Sequence, residues 1–226
     1  MPGKSVLFVL TSADKTFTGR PTGWYLPEAA HPYYSIFPHA NIDFAAPNGP
    51  NPPIDKHSVE NFKDEESVKF LNDETVKQKL ATAKKLTEVN SKDYEAIFYV
   101  GGHGPVIDLA IDPANAQLAS DFWNDGKIVS AVCHGPGALV GAKDSSGKSI
   151  FYGRKFTGFS NAEEEASGFT KDVPFLLESK IQELGGIFDK APGLFEGKVV
   201  IDGKLFTGQN PASAKPLGDA IARALA

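Results

Sequence analysis

Apolar positions in this chain cluster in short runs, separated by longer stretches in which apolar and polar residues alternate at helical spacing. Val6–Leu10 (VLFVL), Ile42–Ala46 (IDFAA), Tyr94–Val100 (YEAIFYV) and Ile128–Val132 (IVSAV) are such runs, each closed by turn-forming or polar residues. Runs of this length, rich in β-branched and aromatic residues, predict strands covered on both faces. Between them the spacing predicts helices. WYLPEAAHPYYSIF has Pro27 suited to a helix start and Pro32 limiting its regularity. Further helices are expected over Pro113–Trp123, Val173–Leu184 and Ala212–Leu225. Residues from about 47 to 93 differ in composition, being charged, with helical periodicity at Val68, Leu71, Val76 and Leu80. Late in the chain, Lys155–Phe159 (KFTGF) predicts another strand. Val199-Val200-Ile201 and Lys204–Thr207 flank Asp202-Gly203, a two-residue hairpin signal. Alternating strands and helices predict an α/β fold: a mainly parallel central sheet with helices on both faces, a helical insertion and a late β-hairpin.

Composition narrows the picture. At 226 residues and 41% hydrophobic, residues 1–226 are expected to form one domain, with 47–93 as an excursion too small to bury a core of its own. A net charge of −5 offers no electrostatic reason for a nucleic-acid or anionic-membrane partner. The single cysteine excludes an internal disulfide framework and suits a reducing compartment. The apolar run near the start is too short for a signal core or a membrane span, so a soluble cytoplasmic protein is expected.

The candidate chemistry centres on KIVSAVCHGPGAL, residues 127–139. A buried strand stops at Cys133-His134, and Gly135, Pro136 and Gly137 open a new segment. A sharp strand-to-helix elbow at a nucleophile is expected there, with the helix dipole favouring thiolate. A lone cysteine is ordinarily a small buried hydrophobe. Its place at a strand end, beside a histidine and glycines, points instead to a nucleophile. His134 is its candidate partner, and a third group is expected among Glu163, Glu164 and Glu165, although an exposed first helical turn is the plainer reading of any one of them. Gly101 and Gly102, after the third strand, can offer bare N–H groups which with that of His134 would form an oxyanion hole. Ligands of such sheets sit at strand carboxyl ends, where Cys133 and Gly101-Gly102 both fall. Glu28 and His31 can share a helix face, but no histidine or cysteine spacing suggests a metal site, so neither metal nor cofactor is expected.

VLFVLTS (6–12), PEAAHP (27–32), GGHGP (101–105), AVCHGPGAL (131–139), FTGFSNAEEE (156–165) and TGQNPASA (207–214) together resemble the DJ/PfpI superfamily, whose flavodoxin-like core is shared with class I glutamine amidotransferases. The nearest likeness is to the fungal heat-shock-protein-31-like group of glutathione-independent glyoxalases, also called glyoxalase III. The resemblance implies Cys133 as nucleophile, His134 as its partner, Glu164 as third member, Glu28 as a buried carboxyl touching the thiol, and Gly102 and His134 as oxyanion donors. It also implies a homodimer, cytoplasmic and in some members nuclear. A glutaminase would need a His-x-Glu downstream of the cysteine, and no histidine follows His134.

The implied reaction is that of glyoxalase III (D-lactate dehydratase, a lyase). Cys133 forms a hemithioacetal with methylglyoxal or a related 2-oxoaldehyde, which ends as D-lactate or another 2-hydroxy acid, with Glu28 or His134 as base. The alternatives are a stress-protective holdase for unfolded client proteins and a protein or nucleotide deglycase using the same thiol. Phe17, Trp24, Tyr25, Tyr33 and Tyr34 are candidate client-binding aromatics, with core or dimer contact the favoured reading.

Overall fold

The structure, a computed structural model, describes residues 3–226. Its main sheet has seven strands in the order β3-β2-β1-β4-β5-β9-β8, where β1 is Ser5–Val9, β2 Asn41–Ala46, β3 Lys84–Lys85, β4 Ala96–Tyr99, β5 Ile128–Val132, β8 Val199–Asp202 and β9 Leu205–Gly208. The strands from β3 to β9 in that order pair in parallel, and only β8 runs antiparallel, against β9. β4 and β5 are buried along their whole length, as their apolar runs require. From β1 the chain moves outward to β2 on one side and later returns to β4 on the other. A crevice opens where such a reversal leaves two strand ends with diverging connections.

Helix α1 (Leu26–Ile36) begins with Pro27 in its first turn and keeps Pro32 within it, packing on the closing helix α9 (Ala214–Leu225). Close approach explains a glycine there: a Cβ on Gly218 would stand 2.6 Å from the Pro32 Cα. The excursion carries three short helices, α2 (Lys56–Asn61), α3 (Glu65–Asn72) and α4 (Glu74–Ala81). An aspartate caps each one: Asp55 accepts from Ser58 N–H, Asp64 from Ser67 N–H, and Asp73 from Thr75 and Val76 N–H. Asp73 breaks the expected single stripe. Val76 is buried, Val68 is exposed, and the anchor is Phe70, edge-on to Tyr33 at 5.3 Å and Trp24 at 6.0 Å. Trp24 and Tyr33 are therefore core residues, whereas Phe17 stands 72% exposed.

Three other elements differ from expectation. Of Lys155–Phe159 only β6 (Lys155–Phe156) is a strand, and it pairs with β7 (Ile187–Phe188) in a separate two-stranded sheet. The place beside β5 is taken by β9, and residues 157–159 cross above it, with Thr157 N–H on Thr207 Oγ1 and Phe159 N–H on the Cys133 carbonyl, both at 2.9 Å. Helix α8 starts only at Leu177 and ends at Glu183. The hairpin turns on Gly203-Lys204, one residue later than its sequence signal, with Gly203 at φ 62°. The remaining helices are α5 (Gly104–Ile107), α6 (Pro113–Asn124) and α7 (Asn161–Ala166). Among the described residues no helix is long and apolar enough to cross a membrane.

Candidate active site

Four connections converge at the carboxyl end of the sheet. β5 ends at Val132, and Cys133 follows with φ 59°, a left-handed conformation that costs a non-glycine residue about 1–3 kcal/mol unless its surroundings hold it. Here its N–H donates to the Gly208 carbonyl and its own carbonyl accepts from Phe159 N–H, each at 2.9 Å. The elbow is therefore real, but the helix after it is not an α-helix. Gly135–Leu139 form a short 3-10 segment, its glycines close against neighbours: a Cβ on Gly137 would stand 2.5 Å from Val106 Cγ1. The dipole expected to favour thiolate is correspondingly small. Burial, and then the Glu28 carboxyl beside it, push the Cys133 thiol well above its usual range. The resting sulfur is a thiol that needs a base.

His134 supplies one. Its Nδ1 lies 3.5 Å from Cys133 Sγ, and its Nε2 lies 2.5 Å from Glu164 Oε2. A carboxylate accepts only, so the shared proton belongs on Nε2 and the lone pair of Nδ1 faces sulfur. Glu164 sits in the first turn of α7 and also accepts from His103 Nε2, at 2.9 Å on its other oxygen. Burial works against the Glu164 anion, but His134 and His103 outweigh it and hold the carboxyl well below the usual range. His103 is held by stacking on Phe169, centroids 4.3 Å apart, with the Arg20 guanidinium 3.7 Å above that ring. Burial lowers the His103 pKa, and a protonated His134 lowers it further, so its ring is neutral at pH 7.

Glu28 enters from the first turn of α1 and is fully buried. Neither carboxyl oxygen makes a well-aligned hydrogen bond among the described residues, although the Cys133 thiol and the Gly102 and Gly101 amides lie near it. Burial dominates and raises its pKa to about 8, so Glu28 carries its proton at neutral pH. The GG pair allows this closeness: a Cβ on Gly101 would stand 2.1 Å from Glu28 Oε2 and 2.8 Å from Cys133 Cβ. Gly102 takes φ 90° and packs on the Gly23 carbonyl. The two amides thus lie near the Glu28 carboxyl.

A cleft of about 1090 Å³ opens above these groups, with Tyr25, Phe62, Phe159, Phe169 and Phe195 among its walls. Cys133, His134, Glu28 and Gly102 line it; Glu164 lies behind the two histidines. Two residues in this region act otherwise than the sequence suggests. His103 stands inside GGHGP, but its tie to Glu164 depends on a loop 61 residues away. Glu163 was expected to face solvent if Glu164 faced inward, yet both are buried and only Glu165 is exposed. Glu163 accepts from Ser160 N–H and Oγ, Gln209 Nε2, Asn210 Nδ2 and Phe195 N–H, at 2.8–3.0 Å. It ties α7 to the β9 loop and to Phe195, whose φ is 62°. The donor atoms of His103, His134 and Glu164 lie within 4.8 Å of one another, a grouping of metal-ligating types that no sequence spacing signals because three separate segments supply it.

Comparison with known proteins places this geometry. Residues 41–224 match the model of the DJ-1/PfpI family. The chain is 32% identical to a glutathione-independent glyoxalase of Schizosaccharomyces pombe, covering 99% of this chain and 98% of that protein. It is 32% identical to glyoxalase 3 of Candida albicans, covering 96% and 97%. The solved glyoxalase III of Candida albicans superimposes with a TM-score of 0.88 at 28% identity, over 97% of each chain. The Francisella tularensis rapid encystment protein of 24 kDa superimposes with a TM-score of 0.93 at 37% identity, over 99% of each.

Proposed function

The chain belongs to the DJ-1/PfpI family, and we infer from that membership and from its site that it is a glutathione-independent glyoxalase acting on methylglyoxal and related 2-oxoaldehydes. The observation that carries the reading is the contiguous arrangement of Glu28, Cys133, His134 and Glu164 under one cleft, in which the buried thiol meets both a base and a protonated acid.

The residues divide the chemistry as follows. His134 Nδ1 takes the thiol proton as Sγ adds to the aldehyde carbon, and the imidazolium is stabilised by Glu164. The imidazolium returns that proton to the new alkoxide, giving a neutral hemithioacetal. His134 then removes the C–H proton from the former aldehyde carbon while Glu28 donates its proton to the neighbouring ketone oxygen, forming an enediol. His134 delivers its proton to the second carbon, and Glu28 recovers one from the hydroxyl on the first. The result is a 2-hydroxyacyl thioester on Cys133. Water, deprotonated by His134, cleaves the thioester and releases the 2-hydroxy acid, D-lactate when the substrate is methylglyoxal. The amides of Gly101, Gly102 and His134 are the candidate donors to the oxyanions of these steps. No step calls on a cofactor or metal.

The reading treats residues 1–226 as one domain, because the excursion over 47–93 places Phe70 in the same aromatic core as Trp24 and Tyr33. A homodimer, a cytoplasmic location and lyase classification accompany the reading on family resemblance alone. A holdase role finds less support, since Trp24 and Tyr33 lie in the core and Phe17 alone of the five candidate aromatics is exposed. The deciding experiment measures D-lactate formed from methylglyoxal with no thiol added. Activity in the wild type and none in folded Cys133→Ala supports the reading; a requirement for glutathione overturns it.

A further inference from the structure

We propose that His103, His134 and Glu164 form a binding site for a divalent transition cation of the zinc type, and that occupancy switches the enzyme off. Two imidazole Nε2 atoms converge on the two oxygens of one carboxylate, at 2.9 and 2.5 Å, and all the donor atoms fall within 4.8 Å of one another. Zinc bound by two histidines and a carboxylate takes ligands at roughly 2.0–2.1 Å and leaves a further position for water. The rings are already fixed in direction. His103 stacks on Phe169 and lies tilted against His134, each 4.3 Å away, and His134 lies 4.6 Å from Phe159. The side chains of His134 and Glu164 are 2% exposed and that of His103 15%, so the cleft side of His103 is the way in.

Inhibition follows from the tautomer. In the metal-free arrangement His134 carries its proton on Nε2 and points the Nδ1 lone pair at Cys133. A cation taking the Nε2 lone pairs of His134 and His103 moves the proton of each ring to its Nδ1, through solvent, without changing the charge of either ring. The sulfur then faces an N–H and has no acceptor for its proton. The cation thus disables the base without touching the thiol, and removing the cation restores it.

The binding arm of the test is independent of turnover; the inhibition arm rests on the glyoxalase reading. Cys133→Ala is titrated with Co²⁺ alone, so that the thiol cannot contribute. A single equivalent bound, with visible ligand-field absorption and no thiolate charge-transfer band, is expected. Adding His103→Gln or His103→Asn, each verified as folded by circular dichroism, should weaken binding about tenfold or more. No binding by Cys133→Ala, or equal binding in the double variants, overturns the site. In the wild type, Zn²⁺ should abolish methylglyoxal turnover reversibly on chelation, and His103→Gln should raise the half-inhibitory concentration by about tenfold or more. Zinc sensitivity unchanged by His103→Gln overturns the switch. Cobalt binding without any glyoxalase turnover leaves the site standing and sinks the functional reading, whereas turnover without cobalt binding does the reverse.

Discussion

Glu164 holds His134 in one tautomer: its Oε2 lies 2.5 Å from Nε2, on the far side of the ring from Cys133 Sγ, 3.5 Å from Nδ1. The carboxylate neither touches the thiol nor lines the cleft. It works by deciding which nitrogen is free, and by favouring the imidazolium once the thiol proton has moved.

The three consecutive glutamates should therefore respond differently to conversion to glutamine. Glu164→Gln should lower kcat by roughly 10²–10⁴-fold, because an amide can satisfy either tautomer and carries no charge. Glu163→Gln places an NH2 among groups that are all donors and should cost about 1–3 kcal/mol of stability, seen as a lower midpoint in urea. Glu165→Gln, on the exposed side, should stay within about 0.5 kcal/mol and keep its turnover. Equal turnover in Glu164→Gln and Glu165→Gln would remove Glu164 from the mechanism.

Gly101→Ala probes the closeness of the acid and the thiol. Its Cβ would meet Glu28 Oε2 at 2.1 Å, the Val132 carbonyl at 2.7 Å and Cys133 Cβ at 2.8 Å, and two of these belong to the reacting side chains. Overpacking of this kind costs about 1–3 kcal/mol. Glyoxalase activity should fall by more than tenfold in protein that still unfolds cooperatively. Activity within about twofold of wild type would show that the contact between Glu28 and Cys133 is not required.

Alkylation reports the state of the sulfur. With the Cys133 pKa raised by burial and by Glu28, the iodoacetamide rate should keep climbing through pH 8.5 rather than level off below it. His134→Ala should slow the reaction at pH 7 by removing the acceptor at 3.5 Å. A rate already flat between pH 6 and 7 would mean a resting thiolate and would contradict the general-base step.

Much of this architecture is legible in the residues because buried parallel strands must be largely apolar: VLFVL and IFYV are so throughout, and IVSAV departs only at Ser130, whose hydroxyl donates to the Ile97 carbonyl. Cys133 is legible for a related reason: a polar, reactive side chain at the end of such a run needs an explanation. What hides is whatever depends on elements distant in sequence. Lys84-Lys85 gives no strand signal, and its pairing with Ala45-Ala46 at the sheet edge is set by where the excursion returns. KFTGF has strand composition but loses its place to β9, a contest that no local pattern records. Adjacent helical residues point about 100° apart, so in a regular helix on a flat surface one inward glutamate turns its neighbour outward. α7 escapes because it starts in a wedge: Glu163 folds back onto its own N-cap and the β9 loop, while Glu164 reaches the histidines on the other side.

Glu28 offers the sharpest test, because one substitution should move three observables in different directions. Its carboxyl is buried without a well-aligned partner, and its pKa lies near 8 in the folded protein. In the unfolded chain it titrates near 4.5. Below pH 4.5 both states are protonated and the buried acid carries no penalty. As pH rises from 4.5 to 8 the unfolded state ionises while the folded state holds its proton, so the stability contributed by the neutral acid is progressively lost, and the loss is complete above 8. Glu28→Gln cannot titrate. Its melting temperature relative to wild type should therefore rise across pH 4.5–8 and stay level beyond, in thermal unfolding followed by circular dichroism. Turnover should move the other way: the amide still donates a hydrogen bond but transfers no proton, so kcat for methylglyoxal should fall by roughly 10²–10⁴-fold. Iodoacetamide alkylation at pH 7 needs only the thiol and His134, and should stay within about tenfold of wild type. A melting difference that does not change with pH would mean that Glu28 is ionised in the folded protein, and the acid that donates to the enediol would then have to be sought elsewhere.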